Sequence, residues 1–317
     1  MRFVDITNDI AFRKIFGSDT KKKSLTSFLN SVIDLPEHEK IVDVEIINPY
    51  QLGKLSGGRS TIVDVKAKDK KGNQFIVEMQ IAELDFFKKR ILYYTSQSYV
   101  AQLNIGEEYK KLKPVYFIGI LEFVIGKNPN YFSRHKVLDV ETQEQVIQDV
   151  EFNFIELPKF KKTIDQLETS IDQWTYFIKN AGNIKTIPEN VKEEGLIEAY
   201  DEAERYNWTK LELEDYERAS IKEGDVKNRM AFAKRKAQEK GEEIGKEIGK
   251  EIGKEIGKEI GKEIGKKIGQ AIGEEIGEAR GEKKSNRSIA KSMKDNGESK
   301  ENIILYTGLS QEEISAL

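Results

Sequence analysis

The chain has 317 residues, no cysteine, two histidines and a formal net charge of −3 at pH 7. The lack of cysteine excludes disulfides, thiolate metal sites and cysteine nucleophiles, and two histidines exclude a histidine-rich metal site. Catalysis would therefore depend on carboxylates, lysines or hydroxyls. No segment approaches the ~20 apolar residues of a membrane span, and residues 1–5 do not begin a signal peptide, so we expect a soluble, cytoplasmic protein.

The first predicted elements are two helices and a strand. Thr7 or Asn8 is suited to cap a helix over 7–16, in which apolar residues form one stripe. A second helix is predicted over 22–33. Residues 41–47 alternate between apolar and polar side chains, which predicts a strand.

Two acidic residues lie in the next two predicted strands. Asp64 follows the apolar segment Thr61-Ile62-Val63, and Glu78 follows Phe75-Ile76-Val77. The polar segment 68–73 between them contains a glycine and predicts a hairpin turn. Adjacent strands would bring both carboxylates to one place, and Gln80 would point to the same face as Glu78.

A carboxylate pair of this kind repels itself, and a divalent cation with oxygen ligands relieves the repulsion. We therefore expect Asp64 and Glu78 to hold Mg²⁺, or alternatively Mn²⁺, at a site that cleaves phosphodiester bonds. Gln80 would position the attacking water or a phosphate oxygen. The alternative is two unrelated surface acids, which their apolar surroundings make costly.

The rest of the first domain is predicted as a mixture of helix and strand. A helix is expected from Leu84 to Leu103, and the continuous apolar run 115–121 indicates a strand buried on both faces. Strand-like segments follow at 134–139 and 148–157. This order predicts a mixed α/β domain over residues 1–160.

Residues 161–240 are predicted to form a helical appendage, in which Pro188 is expected to begin a helix. From Gly241 to Gly281 a glycine recurs at every fourth position, with Ile-Gly-Lys-Glu as the core unit. Glycine costs about 1 kcal/mol in a helix relative to alanine, so we do not expect a helix over 241–281 to persist alone. The tract is either a self-association stalk, giving a homodimer, or a flexible spacer.

Residues 282–317 are predicted to form a small helical module. Ser299 is suited to cap a helix over 300–306 that ends at Gly308, and Ser310 with Glu313 forms a capping box for a last helix. Short helices joined in this way either read DNA or pack as a small protein-binding module.

The chain resembles the PD-(D/E)xK nuclease superfamily, and within it the Rpn group of recombination-promoting nucleases, also described as transposases. The segments that carry the resemblance are Asn8 to Phe16, Ile62-Val63-Asp64-Val65, Phe75 to Gln80, Arg90 to Tyr99, Trp174 to Phe177 and the glycine tract. The resemblance implies a central mixed sheet flanked by helices, metal-dependent DNA endonuclease activity and a link to recombination. Val63 stands where the superfamily pattern has proline, and Gln80 stands where it has lysine.

The resemblance also implies that Asp9, early in the first helix, is a third acidic metal ligand; the alternative is an acid that favours the helix dipole. We further expect Lys14 and Arg90 to contact phosphate, and Lys66 and Lys68 to form a local basic rim. The alternative for all four is a solvated charge.

The sequence thus predicts a metal-dependent DNA endonuclease that acts in DNA recombination or in processing mobile or foreign DNA. The alternative is a catalytically weak or inactive DNA-binding or scaffolding protein that retains the nuclease fold. Gln80 in place of lysine and the near-neutral net charge motivate that alternative.

Overall fold

A computed structural model of the chain describes residues 2–47, 50–51, 61–83 and 85–317. The chain forms two compact units, Met1–Phe232 and Ala233–Leu317. Within the described ranges, no helix combines the length and the apolar character that crossing a membrane requires.

Helices and strands alternate along the first unit, and the second unit is helical. The helices are α1 (Asp9–Phe16), α2 (Lys23–Val32), α3 (Phe87–Val100), α4 (Ser170–Asn180), α5 (Glu194–Ala203), α6 (Lys210–Asp295), α7 (Lys300–Thr307) and α8 (Gln311–Ser315). The strands are β1 (Val44–Ile46), β2 (Tyr50–Gln51), β3 (Thr61–Ile62), β4 (Val65–Asp69), β5 (Gln74–Gln80), β6 (Val115–Leu121), β7 (Phe132–Lys136) and β8 (Val150–Glu156).

The main sheet has the strand order β1-β4-β5-β6-β8-β7, and β2 pairs separately with β3. Strands β4 and β5 form an antiparallel hairpin, while β5, β6 and β8 run parallel in the centre. The hairpin turn contains Gly72 at a φ of +89°, a left-handed conformation that favours glycine. The predicted hairpin, the buried strand β6 and the mixed α/β class are confirmed.

The sheet is covered by helices on both faces. One face buries a large apolar core with α1, α2, α4 and α5, whose largest members include Phe12, Phe28 and Trp174. The other face packs against α3 through Phe87, Ile91 and residues such as Phe117 and Phe154. Burial on both sides explains why β6 is apolar throughout rather than alternating.

Helix α1 is fixed at its start by a side-chain cap. Asn8 accepts hydrogen bonds from the backbone N–H groups of Ile10 and Ala11, at 3.0 and 3.3 Å. Its own amide donates to Ser220 of α6 at 3.1 Å, so the cap also ties α1 to α6. Of the two predicted caps, Asn8 is the one used.

The second unit contains the glycine tract and the C-terminal module. The tract lies within α6, and its isoleucines are each about half exposed, for example Ile256 at 51%. Ala290, Ile303, Leu309 and Ile314 form a small core of their own. The predicted caps are confirmed: Ser299 begins α7, Gly308 ends it, and Ser310 with Glu313 begins α8.

Some predicted boundaries differ from the observed ones. The strand predicted over 41–47 is shortened to β1, and the helix predicted over 84–103 is shortened to α3. Leu84 lies outside the described residues, and so does the glycine-rich segment 52–60. The prediction that Pro188 begins a helix is wrong, because α5 begins at Glu194. The four-part division at 160, 240 and 281 stays a prediction.

Candidate active site

The β4–β5 hairpin brings the two predicted acids together. Val65 of β4 pairs with Val77 of β5. Asp64, which precedes Val65, therefore lies opposite Glu78, which follows Val77. Asp64 lies in a bend just before β4 rather than inside a strand. Asp64 and Glu78 are called the acid pair below.

Asp64 is largely buried and makes two charge-assisted contacts. Its Oδ2 accepts the backbone N–H of Met79 at 2.8 Å, and its Oδ1 accepts a guanidinium N–H of Arg13 at 3.0 Å. Burial raises the pKa of the Asp64 carboxyl, although these two donors oppose the rise. The Met79 bond fixes the direction of the carboxylate at the end of β5.

Arg13 also links Asp64 to the predicted third acid. The guanidinium lies 3.0 Å from Asp9 Oδ1 and 3.0 Å from Asp64 Oδ1. Both acids are therefore held at one cation, although Asp9 is more exposed than Asp64. Asp9 reaches the site because α1 begins beside the acid pair.

Glu78 is 4% exposed, and its Oε1 is buried without a hydrogen-bond partner among the described residues. Burial raises the pKa of this carboxyl well above its usual range, and the negative charge of Asp64 raises it further, whereas the charge of Arg90 lowers it. A buried carboxylate oxygen with no donor is costly, so it is suited to a cation.

Gln80 connects Glu78 to α3. Its amide nitrogen donates to Glu78 Oε2 at 2.9 Å and to the carbonyl of Met79 at 3.1 Å. Its amide oxygen accepts a guanidinium N–H of Arg90 at 3.3 Å. Arg90 thus brings a positive charge next to the position where the superfamily pattern has lysine.

A cavity of about 560 Å³ opens beside the acid pair and is lined by Asp9, Asp64 and Gln80, together with Lys222 and Glu223 of α6. Glu223 Oε1 accepts the backbone N–H of Asp9 at 2.9 Å, and its Oε2 accepts the amide of Asn8 at 3.3 Å. Sequence reasoning missed Glu223 and Lys222. No local pattern distinguishes them from the other charges of α6.

The three lysines predicted to bind DNA, Lys14 through a phosphate contact and Lys66 and Lys68 as a basic rim, lie in different surroundings. Lys14 Nζ bonds Glu212 at 2.6 Å and lies over the ring of Trp208. Lys66 is only 8% exposed, and burial lowers the pKa of its ammonium to about 8. Lys68 pairs with Glu45 at 3.0 Å on the sheet surface. Their roles in DNA binding stay predictions.

The donor set at the acid pair is suited to a hard divalent cation. It consists of carboxylate oxygens, and one of them, Glu78 Oε1, accepts no hydrogen bond from any described residue. Over the described ranges, no cluster of three or more His, Cys, Asp or Glu is arranged to hold a metal ion. In proteins generally, Mg²⁺ is bound through one or two carboxylates, with water and substrate phosphate completing the coordination shell.

Comparison with known proteins gives the family. A sequence model of the family described as PD-(D/E)XK nuclease family transposase matches residues 6–233. This range includes the acid pair, Asp9, Arg90 and Glu223. The chain belongs to this family, as its resemblance implied. No significant match was found among curated proteins or among solved structures. PD-(D/E)XK nucleases generally use divalent metals and act on DNA.

Proposed function

We propose that this protein is a metal-dependent DNA endonuclease that hydrolyses phosphodiester bonds during DNA recombination or the processing of mobile or foreign DNA. The observation that carries the proposal is Glu78 Oε1, which is buried next to the Asp64 carboxylate and has no hydrogen-bond partner among the residues that the structure describes. An anionic pair of this kind is costly to maintain unless a cation is part of its working state.

Each residue of the site has a role in this proposal. Asp64 and Glu78 would hold the metal, with Asp9 as a third acid brought near through Arg13. Gln80, fixed between Glu78 and Arg90, would orient the attacking water or a phosphate oxygen. Arg90 and Lys222 would offset the negative charge of the DNA backbone.

The chemistry that bound Mg²⁺ or Mn²⁺ supplies is Lewis-acid polarisation of a phosphoryl oxygen and a lowered pKa of the attacking water. The protein's own contribution is orientation. The Met79 N–H fixes Asp64, the Gln80 amide fixes one oxygen of Glu78, and the other oxygen stays available.

The test is nicking of supercoiled plasmid in Mg²⁺ or Mn²⁺ by the full chain. Asp64→Asn and Glu78→Gln should each lower the rate by about 100-fold or more, the scale of losing one transition-state-stabilising group. Glu45→Gln is the matched control, because Glu45 is an exposed acid on the same sheet that pairs only on the surface with Lys68. Equal cleavage by all four proteins would refute the mechanism.

We also propose that the chain forms a homodimer through its glycine tract. The tract carries an isoleucine at every fourth position, each about half exposed, next to a glycine with open space around its Cα. A partner helix could therefore approach closely and cover the isoleucines. Two active sites in one dimer would match the two strands of a duplex.

A second candidate function is DNA binding without cleavage. It is favoured by Gln80 in place of lysine and by Arg13, whose guanidinium already neutralises part of the acid pair. Metal-independent binding of a duplex that is unchanged by Asp64→Asn, together with no nicking, would favour this second function.

A further inference from the structure

A second cavity, of about 800 Å³, lies on the α3 side of the main sheet and is larger than the one at the acid pair. Phe152 and Phe154 of β8 line it from the sheet, and Ile91 and Leu92 of α3 line it from the helix. Leu92 is 55% exposed, so apolar surface remains open at this point. This cavity is called the aromatic cavity below.

The rim of the aromatic cavity is cationic. Lys88 and Lys127 both line it, and Lys88 Nζ donates to the neutral carbonyl of Ile125 at 3.2 Å. Neither lysine forms an ion pair with an acid in the part of the chain that the structure describes. Glu156, the one acid among the described residues of the lining, is already paired, since it accepts Lys159 Nζ at 2.7 Å and the Ile125 N–H at 2.8 Å. The cavity therefore combines aromatic surface with net positive charge.

Polar side chains lie beside the aromatic surface. Ser133 Oγ and His135 Nε2 are 3.2 Å apart, and the imidazole meets the ring of Phe154 edge-on, with centroids 5.3 Å apart. Both side chains line the cavity. They offer hydrogen-bonding groups next to Phe152 and Phe132, which line the cavity, are only partly buried and provide a surface on which a flat ring can stack.

The aromatic cavity and the candidate active site both lie at the carboxyl ends of the parallel strands β5, β6 and β8. Gln80 pairs with Leu121, and Leu121 pairs with Glu156, which lines the cavity. Gln80 and Glu156 are therefore two strand spacings apart, about 10 Å. This is about three nucleotides at the ~3.4 Å rise of a stacked strand.

We propose that the aromatic cavity binds an unpaired base of the DNA strand that is cut at the acid pair, with an adjacent phosphate at Lys88 and Lys127. The inference rests on the proposed function and adds a substrate class to it: DNA with an unpaired nucleotide near the cleaved bond. An aromatic floor stacks any base, and the cations bind the backbone, whereas a paired base is not available to enter.

The test measures binding of the full chain, in EDTA, to a fluorescent single-stranded oligonucleotide and to the same sequence as a blunt duplex. Leu92→Glu places a carboxylate at the cavity mouth, at an exposed position that tolerates the change. It should lower affinity for the single strand at least 10-fold and change affinity for the duplex less than twofold. Lys127→Gln, also at an exposed position, should weaken single-strand binding a few-fold.

Val100→Glu is the matched control, because Val100 lies on the same helix, is 65% exposed and does not line the aromatic cavity. It should leave both affinities within twofold of the parent. A 2-aminopurine in the single strand should lose fluorescence on binding to the parent and to Val100→Glu, but not to Leu92→Glu.

Three results would overturn the inference: unchanged single-strand affinity in both Leu92→Glu and Lys127→Gln, equal losses for single strand and duplex, or displacement of the oligonucleotide by micromolar dAMP. The last would assign the cavity to a free nucleotide. Failure of the proposed function can be distinguished from failure of this inference. Nuclease activity is measured by plasmid nicking, whereas binding of the oligonucleotide is measured in EDTA, where no cleavage is required.

Discussion

Arg13 is the residue that joins the acids of the site. It lies on α1, one helical turn after Asp9, and reaches Asp64 from a different part of the chain. Burial alone would lower the pKa of its guanidinium, but the hydrogen bond to Asp64 and the charges of the nearby acids together raise it. Since a guanidinium stays protonated at working pH, Arg13 compensates the acid pair permanently, and a divalent metal would share these carboxylates with it.

The raised pKa of Glu78 predicts a pH dependence of stability. An acid whose folded-state pKa lies above its unfolded value favours folding at low pH, and this contribution is lost as pH rises through the folded-state value. In EDTA, the free energy of unfolding of the parent should therefore fall as pH rises from about 5 towards 8. This pH range lies above the ordinary pKa of a glutamate, so the carboxyl of the unfolded chain is already ionised in it.

Glu78→Gln removes this ionisation. At pH 8 in EDTA it should raise the free energy of unfolding by about 1–3 kcal/mol, the scale of an unsatisfied buried polar group. Urea unfolding at pH 5 and pH 8 measures the effect, with Glu45→Gln as control. A Glu78→Gln curve parallel to that of the parent across this range would contradict the prediction.

Lys66 predicts the opposite trend, because burial lowers the pKa of its ammonium to about 8. A lysine whose pKa is lowered in the folded state destabilises the fold when it is charged. This cost is relieved as pH rises from about 8 towards the pKa of lysine in the unfolded chain, near 10.4. Lys66→Met should therefore be more stable than the parent at pH 7, by up to about 3 kcal/mol, since one pKa unit is worth about 1.4 kcal/mol.

The difference between Lys66→Met and the parent should shrink at pH 10, where the parent lysine is neutral in the folded state. Thermal unfolding at pH 7 and pH 10 measures it. A variant that is less stable than the parent at pH 7 would show that the ammonium has a partner that compensates its burial.

At the scale of elements, the contact between α2 and α5 depends on a glycine. A Cβ added at Gly195 of α5 would lie 2.4 Å from Ser27 Cβ and 2.5 Å from the carbonyl oxygen of Lys23, both on α2. The two helices can cross this closely only because the side chain is absent.

Gly195→Ala should lower the free energy of unfolding by about 1–3 kcal/mol, the usual cost of overpacking. Gly224→Ala is the matched control, because Gly224 lies in α6 with no atom within 4 Å of an added Cβ, and it should stabilise by about 1 kcal/mol through helix propensity. Denaturant unfolding of both variants tests the pair. An unchanged Gly195→Ala midpoint would show that α5 can move away from α2.

The elements also explain how the site is assembled. The β4–β5 hairpin is local, and its turn sequence predicted it. The start of α6 is remote in sequence, yet Glu223 bonds Asp9, and Ser220 accepts a hydrogen bond from Asn8. Helix α6 therefore forms a wall of the cavity beside the acid pair, which agrees with a family match that continues to residue 233.

The proposed homodimer depends on the isoleucines of the glycine tract. Replacing Ile256, Ile260 and Ile264 by serine should lower self-association at least tenfold, because each buried isoleucine contributes about 1.5–3 kcal/mol in an interface. Sedimentation equilibrium measures the change. Serine substitutions at the exposed residues Leu305 and Tyr306, outside the tract, are the control. A parent chain that is monomeric at all concentrations would reject the homodimer.

Local sequence patterns were enough to predict the caps of α1, α7 and α8, the hairpin turn at Gly72, the buried strand β6 and the pairing of Asp64 with Glu78. These follow from short-range hydrogen bonds and from side-chain periodicity, which can be read along the chain. The sequence did not determine that Asp64 lies in a bend, that Arg13 joins two acids, that Lys66 is buried or that Glu223 meets Asp9. Those contacts depend on how helices pack on the sheet. Because packing energy is distributed over many residues far apart in sequence, these contacts become visible only in the folded chain.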